Sequence, residues 1–291
     1  MLVDPYGRKV TNLRISLTQR CNLACIYCHA EGEKTPSREL PRDQIAEILS
    51  TVGDLGIRKI KFTGGEPLLR KDVCDIVQSV PAGIESSMTT NGILLADVAD
   101  DLKGAGLSRV NVSLDTLDPE RYVQITGRNG LSDVLSGIDA ALDAGLTPVK
   151  LNMVLLKGVN EDEIERFLQF VRDHRHVILQ LIELLEFNDC TLHADVGGVE
   201  REFAEHSEKI HTRRMQHRRK YCLDGAEVEV VRPLHNTEFC KFCNRLRITS
   251  DGKLKPCLLR SNNHLDIEGK TGEELKQLFL EAVQRREPYF R

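Results

Sequence analysis

The chain lacks the positive charge of proteins that hold nucleic acid by bulk electrostatics: 40 lysines and arginines face 44 acids, for a net charge of −4. It lacks any run approaching the roughly eighteen apolar residues of a membrane-spanning helix. The N-terminal segment carries Asp4, Arg8, Lys9, Arg14 and Arg20 and no apolar stretch of signal-peptide length. Low-complexity linkers and internal cysteine repeats are also missing. These absences predict a cytoplasmic protein that binds neither nucleic acid nor membrane. At 291 residues and 41% hydrophobic, the chain can bury a substantial core, as one large domain or one domain with an appendage. Cysteine, by contrast, is abundant. There are nine, and in a reducing compartment they suit metal ligation or catalysis better than disulfides.

Short β-rich runs alternate with helical patterns up to about residue 185. Strands are expected at Leu13–Leu17, Lys59–Thr63, Ile84–Thr90, Arg109–Leu114, Val149–Leu155 and Ile178–Leu185. Several are continuous apolar or β-branched runs, the pattern of parallel strands covered on both faces. In Arg42–Leu55 the residues Ile45, Ile48, Leu49, Val52 and Leu55 keep helical spacing, and Gly56 stands where a C-cap belongs. Leu131–Leu142 and Asp162–Val171 read the same way. Six strand–helix units in alternation imply a parallel α/β sheet, read as an incomplete (β/α)6 TIM-like barrel, with an open doubly wound sheet as the alternative. The expected organisation is 1–187 for the partial barrel and 188–291 for a C-terminal extension. In the extension, Lys209–Lys220 is strongly basic, with Arg213, Arg214, Arg218 and Arg219. It reads as a solvated helix or loop, or as a lid over an anionic substrate. A strand at 226–231 and a final helix, Gly272–Val283, complete the pattern.

Six cysteines fall in two trios. Cys21-x3-Cys25-x2-Cys28 follows the first strand and so lies on a loop at its C-terminal end, where α/β barrels place active-site loops. Three thiolates within eight residues can hold three corners of a 4Fe-4S cluster and leave the fourth iron open. Gly64-Gly65-Glu66-Pro67 follows the second strand; glycine there would let backbone approach a ligand closely. Together, in this order, these motifs resemble the radical-SAM enzymes. The resemblance implies that the open iron chelates S-adenosyl-L-methionine (SAM). One electron then splits SAM to methionine and a 5′-deoxyadenosyl radical that takes a substrate hydrogen. It further implies that Tyr27, through its backbone, Gly65, Ser113 and Leu185 hold SAM.

Cys240-x2-Cys243-x13-Cys257 forms the second trio. Spacing alone also admits a structural zinc site completed by Cys222, His235 or His264. Arg245 and Arg247 directly follow it, and in a strand both would project to one face, a geometry suited to phosphate. This run, with Asn12–Thr18, Thr89–Gly92, Asn111–Asp115 and Lys150–Asn152, resembles the radical-SAM GTP 3′,8-cyclase family of molybdenum cofactor biosynthesis over nearly the whole chain. The resemblance implies two 4Fe-4S clusters and conversion of GTP to 3′,8-cyclo-7,8-dihydro-GTP. It implies GTP contacts from Arg14, Lys61, Thr89, Lys150, Arg245, Leu246 and Arg247. An electron donor such as ferredoxin or flavodoxin, and a downstream cyclic pyranopterin monophosphate synthase, would be its partners.

Bacterial members of that family carry an arginine on the sixth strand, a methionine just beyond it and a Gly-Gly tail. This chain has Gln180 and Leu185, and ends Tyr289-Phe290-Arg291, which looks more like archaeal members. The alternative is a radical-SAM enzyme with an auxiliary cluster that acts on another nucleotide or on a peptide. Cys74 falls on a helical pattern and reads as core, whereas Cys190 and Cys222 have no assigned role.

Overall fold

The computed structural model describes residues 1–32, 38–185, 191–234, 236–260 and 262–289; Cys190, His235, Phe290, Arg291 and the expected 187/188 boundary lie outside them. The first six strands are β1 (Asn12–Ser16), β2 (Lys59–Thr63), β3 (Glu85–Thr90), β4 (Arg109–Ser113), β5 (Val149–Leu155) and β6 (Val177–Glu183). Between them run α1 (Arg42–Asp54), α2 (Val73–Gln78), α3 (Ala99–Gly104), α4 (Pro119–Thr126), α5 (Leu131–Asp143) and α6 (Ile164–Asp173). Local chemistry sets the helix ends. Asp118 caps α4 by accepting from the Glu120 and Arg121 N–H groups at 3.0 and 2.9 Å, and Gly127 ends it in the left-handed region.

The C-terminal region adds α7 (Val196–His206), β7 (Lys209–Thr212), β8 (Arg219–Leu223), β9 (Ala226–Val231) and α8 (Thr237–Lys241). After them come β10 (Arg245–Ile248), β11 (Lys253–Lys255), β12 (Leu265–Asp266) and α9 (Gly272–Gln284). One sheet holds all twelve strands found among the described residues, in the order β12-β11-β10-β1-β2-β3-β4-β5-β6-β9-β8-β7. The consecutive pairs from β10 through β1–β6 to β9 are parallel. The parallel sheet therefore extends beyond the six expected strands, because β10 joins one edge and β9 the other. The basic stretch is a correction to the expected helix or loop: β7 and β8 form an antiparallel hairpin against β9.

A second correction concerns the faces. The strands are not apolar on both sides. Leu13 and Ile15 on β1, Ile60 and Phe62 on β2, and Leu151 and Met153 on β5 join the hydrophobic core. Their neighbours Arg14, Lys61, Lys150 and Asn152 face a cavity instead. This period-two alternation places helices over one face and polar groups on the other.

Candidate active-site cavity

A cavity of about 600 Å³ is bordered by side chains from β1 to β6, β9 and β10. That volume suits a small-molecule site. Lysine and arginine line it in large excess, and among the described residues only the carboxylates of Glu31 and Glu287 border it. A chain of net charge −4 thus concentrates positive charge in one concave space. An anionic ligand is what such a space attracts.

The two cysteine trios lie at opposite ends of the parallel strands. Cys21, Cys25 and Cys28 follow the C-terminal end of β1. Cys240 and Cys243 precede β10, whose Arg245 is level with Asn12 at the start of β1. Five residues of β1 put the two ends on the order of 15 Å apart.

The first loop is fastened by backbone packing. A Cβ on Gly65 would lie 2.3 Å from the Arg20 carbonyl oxygen, and one on Gly64 would lie 2.5 Å from that of Thr18. Gly65 N–H donates to the Thr18 carbonyl at 2.7 Å, and Glu66 N–H to that of Arg20 at 2.8 Å. These glycines thus serve close packing onto the cysteine loop, and Gly65 does not line the cavity. Glu66 accepts from Asn91 N–H at 2.6 Å, Thr90 Oγ1 at 2.8 Å and Leu68 N–H at 3.0 Å. Burial nevertheless raises its pKa to about 7. Asn91 Nδ2 donates to Asn22 at 2.7 Å, inside the cysteine loop. Tyr27 donates its hydroxyl to Asp115 at 2.5 Å, which commits the side chain and leaves the backbone as the part able to meet a ligand. Burial pushes the Cys25 thiol up to about 12, with Asp115, Cys28 and Cys21 adding to the effect; Cys21 also rises, chiefly through burial.

The second loop is fastened by arginines. Arg286 donates to the Cys243 carbonyl at 2.7 Å and to Asp4 at 2.9 Å; Arg8 donates to the Cys240 carbonyl at 2.9 Å. Burial opposes ionisation of Cys243, yet Arg286, the Arg245 N–H and the Arg245 and Arg247 guanidiniums hold its thiol below the usual range. Cys240, Cys243 and Cys257 all border the cavity. Cys222 pairs across the hairpin with Lys209 and Glu227, away from it. His264 faces the Arg260 carbonyl at 2.9 Å and does not border it either.

Of the expected GTP contacts, Arg14, Lys61, Thr89, Lys150, Arg245 and Arg247 border the cavity. Leu246 does not: it alternates to the opposite face and is buried in the core. Of the expected SAM contacts, Tyr27, Ser113 and Leu185 border it. Carboxylates hold three of the cations. Glu31 lies 3.3 Å from Arg14 and 3.0 Å from Arg247. Burial opposes its ionisation, but those two arginines bring its pKa down to about 2. Lys150 is paired with buried Glu229. Lys61 makes no ion pair among the described residues; burial and the charges of Arg14, Arg245 and Arg109 push its pKa well down. Arg245 has no carboxylate partner among them; its guanidinium donates to the Met215 sulfur at 3.5 Å. Glu31, Glu229, Asp4, Arg8 and Arg286 were not visible as site residues in the sequence. Glu229 carried one usable signal, an acid that with Glu227 takes alternate positions in the otherwise apolar strand Ala226–Val231.

Residues 15–171 match the family model of the radical SAM superfamily. The chain belongs to the radical SAM superfamily. Residues 177–291 of this radical SAM protein match a second model, Molybdenum Cofactor Synthesis C. A probable GTP 3′,8-cyclase of Methanocella arvoryzae is 51% identical over 293 residues, covering 100% of this chain and 95% of the relative. Its counterpart in Archaeoglobus fulgidus is 50% identical over 296 residues and covers 100% of both chains. Among solved structures, Streptococcus suis SuiB bound to S-adenosylmethionine superposes with a TM-score of 0.69 at 16% identity. The match covers 93% of this chain and 64% of SuiB. The structure of anSMEcpe with bound AdoMet gives 0.66 at 17% identity, over 91% and 79%. These two likenesses establish a mixed α/β fold shared with radical SAM enzymes, here with a C-terminal extension. Membership of the superfamily implies a 4Fe-4S cluster and SAM. No helix among the described residues is long and apolar enough to cross a membrane.

Proposed function

We propose that the cavity is the active site of a GTP 3′,8-cyclase of molybdenum cofactor biosynthesis. One observation carries the reading: two cysteine trios stand at opposite ends of the parallel strands, and the cavity between them, bordered by the second trio and by Tyr27 of the first loop, has a cationic wall. Full-length relatives at about half identity, named probable GTP 3′,8-cyclases, support it. In this reading the sheet and its helices form an incomplete (β/α)6 barrel over 1–187, and 188–291 form the extension that completes the site.

The residues present fit two 4Fe-4S clusters. Charges on Cys21, Cys25 and Cys28 bear on one another, and those of Cys243 and Cys257 both bear on Arg247. Each trio supplies three thiolates and leaves one iron for a ligand. When bound, the first cluster and SAM supply hydrogen abstraction by a carbon radical. The chain's own residues bind and orient. Tyr27, Gly65, Ser113 and Leu185 hold SAM beside the first trio. Arg14, Lys61, Thr89, Lys150, Arg245 and Arg247, with Leu246 through its backbone, hold GTP towards the second. Arg245 and Lys61 are the cations best suited to accept phosphate, since no carboxylate must leave them first. Arg14 and Arg247 exchange Glu31 for phosphate, an exchange of like ion pairs that costs little net charge separation. An external electron donor reduces the site, and a downstream synthase consumes the product. Peptide modification, the competing reading, leaves the cationic wall without a role.

Chromatography of an anaerobic reaction containing reconstituted protein, SAM, GTP and reductant tests the proposal. The expected result is a new guanine-derived nucleotide, isomeric with GTP, that ATP, CTP and UTP do not replace. SAM turnover without any such product overturns it.

A further inference from the structure

The β7–β8 hairpin has no part in the reading above. Its outer strand, Lys209–Thr212, is exposed along its length, yet its tip turns onto the second cysteine loop. Gln216 N–H donates to the Phe242 carbonyl at 2.9 Å. The His217 ring stacks on that of Phe242, with centroids 3.3 Å and planes 8° apart, and pairs with Glu238 at 3.1 Å. Phe242 sits between Cys240 and Cys243. The tip is therefore tied to the segment that carries the second trio.

That tie carries Arg213 and Arg218 to the cavity wall. Both converge on Glu229, Arg213 at 2.7 Å and Arg218 at 3.0 Å, and Lys150 reaches the same carboxylate. Glu229 is 0% exposed and Arg218 and Lys150 each 9%. One buried carboxylate thus faces three cations, Arg218 and Lys150 buried with it and Arg213 37% exposed at the cavity, which leaves uncompensated positive charge. Arg218 Nε is buried and has no hydrogen-bond partner among the described residues. An arginine fork with an idle donor, beside a cavity and in excess of its counter-ion, is built to accept an anion with several oxygens.

We propose that Arg213 and Arg218, together with Lys150, form a phosphate subsite supplied by the hairpin. Glu229 is its internal counter-ion and keeps the three cations placed when the subsite is empty. The ligand class is a polyphosphate chain. The assignment of that chain to GTP rests on the function proposed above; the subsite itself rests only on the geometry. Because the hairpin tip is stacked on Phe242, phosphate held there is also registered against the second cysteine loop.

The test uses reconstituted full-length protein and four probes: tripolyphosphate, GTP, guanosine and SAM. Arg213→Gln and Arg218→Gln are each expected to weaken tripolyphosphate and GTP by about ten- to a hundredfold, the loss of one charge-assisted contact. Guanosine and SAM affinities stay at the wild-type level. Arg213→Lys and Arg218→Lys keep Glu229 fully paired, and with it the fold. They surrender only the fork and are expected to lose about three- to tenfold for the same two probes. Unchanged tripolyphosphate affinity in all four variants overturns the subsite, as does an equal fall for guanosine and SAM in the lysine variants. If wild-type protein shows arginine-dependent tripolyphosphate binding but no preference for GTP, the guanine reading fails and the subsite stands.

Discussion

The two cysteine loops carry the same number of thiols in opposite electrostatic settings. Around the first, burial above all, with nearby acids and neighbouring thiols adding to it, pushes Cys21 and Cys25 up, and glycines hold the loop by close backbone contact. Around the second, guanidiniums hold Cys243 down and fasten its carbonyl and that of Cys240. Only the second trio borders the cationic cavity; the first reaches it through Tyr27. The difference teaches that ligand count does not define a site's role. The second loop is continuous with the cationic wall, whereas the first lies at the opposite end, beside the carboxyl groups of Glu66 and Asp115.

The sharpest way to break this comparison is to remove one trio at a time. Changing Cys21, Cys25 and Cys28 together to Ala should leave about half the iron, by the three-thiolate logic of such clusters, and abolish SAM cleavage. Changing Cys240, Cys243 and Cys257 together should also halve the iron but preserve SAM binding while GTP conversion is lost. Iron analysis and SAM turnover distinguish them, and intact SAM cleavage in the first variant refutes the assignment. Next in size is Gly65→Ala. Its new methyl group meets the Gln19 and Arg20 carbonyl oxygens at 2.7 and 2.3 Å, so overpacking should cost roughly 1–3 kcal/mol. Thermal unfolding should record the loss, and iron should be depleted from the first trio only.

Arg245→Ala and Arg247→Ala probe the other end. Each should weaken GTP by about ten- to a hundredfold and leave SAM affinity unchanged, by loss of a charge-assisted contact. Arg245 should show the purer effect, because Arg247 removal also frees Glu31. Equal GTP affinity in both variants would move the triphosphate elsewhere. The smallest effect is a pH dependence. Lys150 is pushed down to about 8, chiefly by burial, with Arg213 and Arg218 outweighing part of the support from Glu229. A depressed amine loses its positive charge as pH rises through that value, so anion affinity must fall, not rise. GTP binding should weaken about three- to tenfold between roughly pH 7 and 9, and Lys150→Met should flatten that fall. A titration by calorimetry checks it.

Much of this was legible in the sequence because it is local. β2 and β5 run over the expected residues, Lys59–Thr63 and Val149–Leu155, and α1 ends beside Gly56, which has φ 89°. Cys74 packs against the core, as its helical spacing suggested. The cationic face was also foreseeable, since Arg14, Lys61 and Lys150 interrupt otherwise apolar strands. What escaped was long-range or aperiodic. Arg247 meets Glu31 across 216 positions, and Arg286 meets Asp4 across 282; no local pattern announces such pairs. Strand β7 lacks a hydrophobic alternation because Lys209–Thr212 is solvent-exposed on both faces. The glycines at 64 and 65 were read for ligand approach, and their first task is packing against Thr18–Arg20. Spacing identifies glycine but not the partner that excludes a side chain.

The central claim is that SAM and GTP meet inside one cavity, each delivered from its own end. Transfer of hydrogen then requires the ribose 3′ carbon to lie on the order of 3–4 Å from the 5′ carbon of the adenosyl group. The most direct measurement is the fate of deuterium placed at the 3′ position of GTP in an anaerobic, fully reconstituted reaction. The account predicts deuterium in 5′-deoxyadenosine, none from other ribose positions, and a nucleotide product joined at carbon 8 of guanine. Rapid SAM cleavage with unlabelled 5′-deoxyadenosine would contradict it.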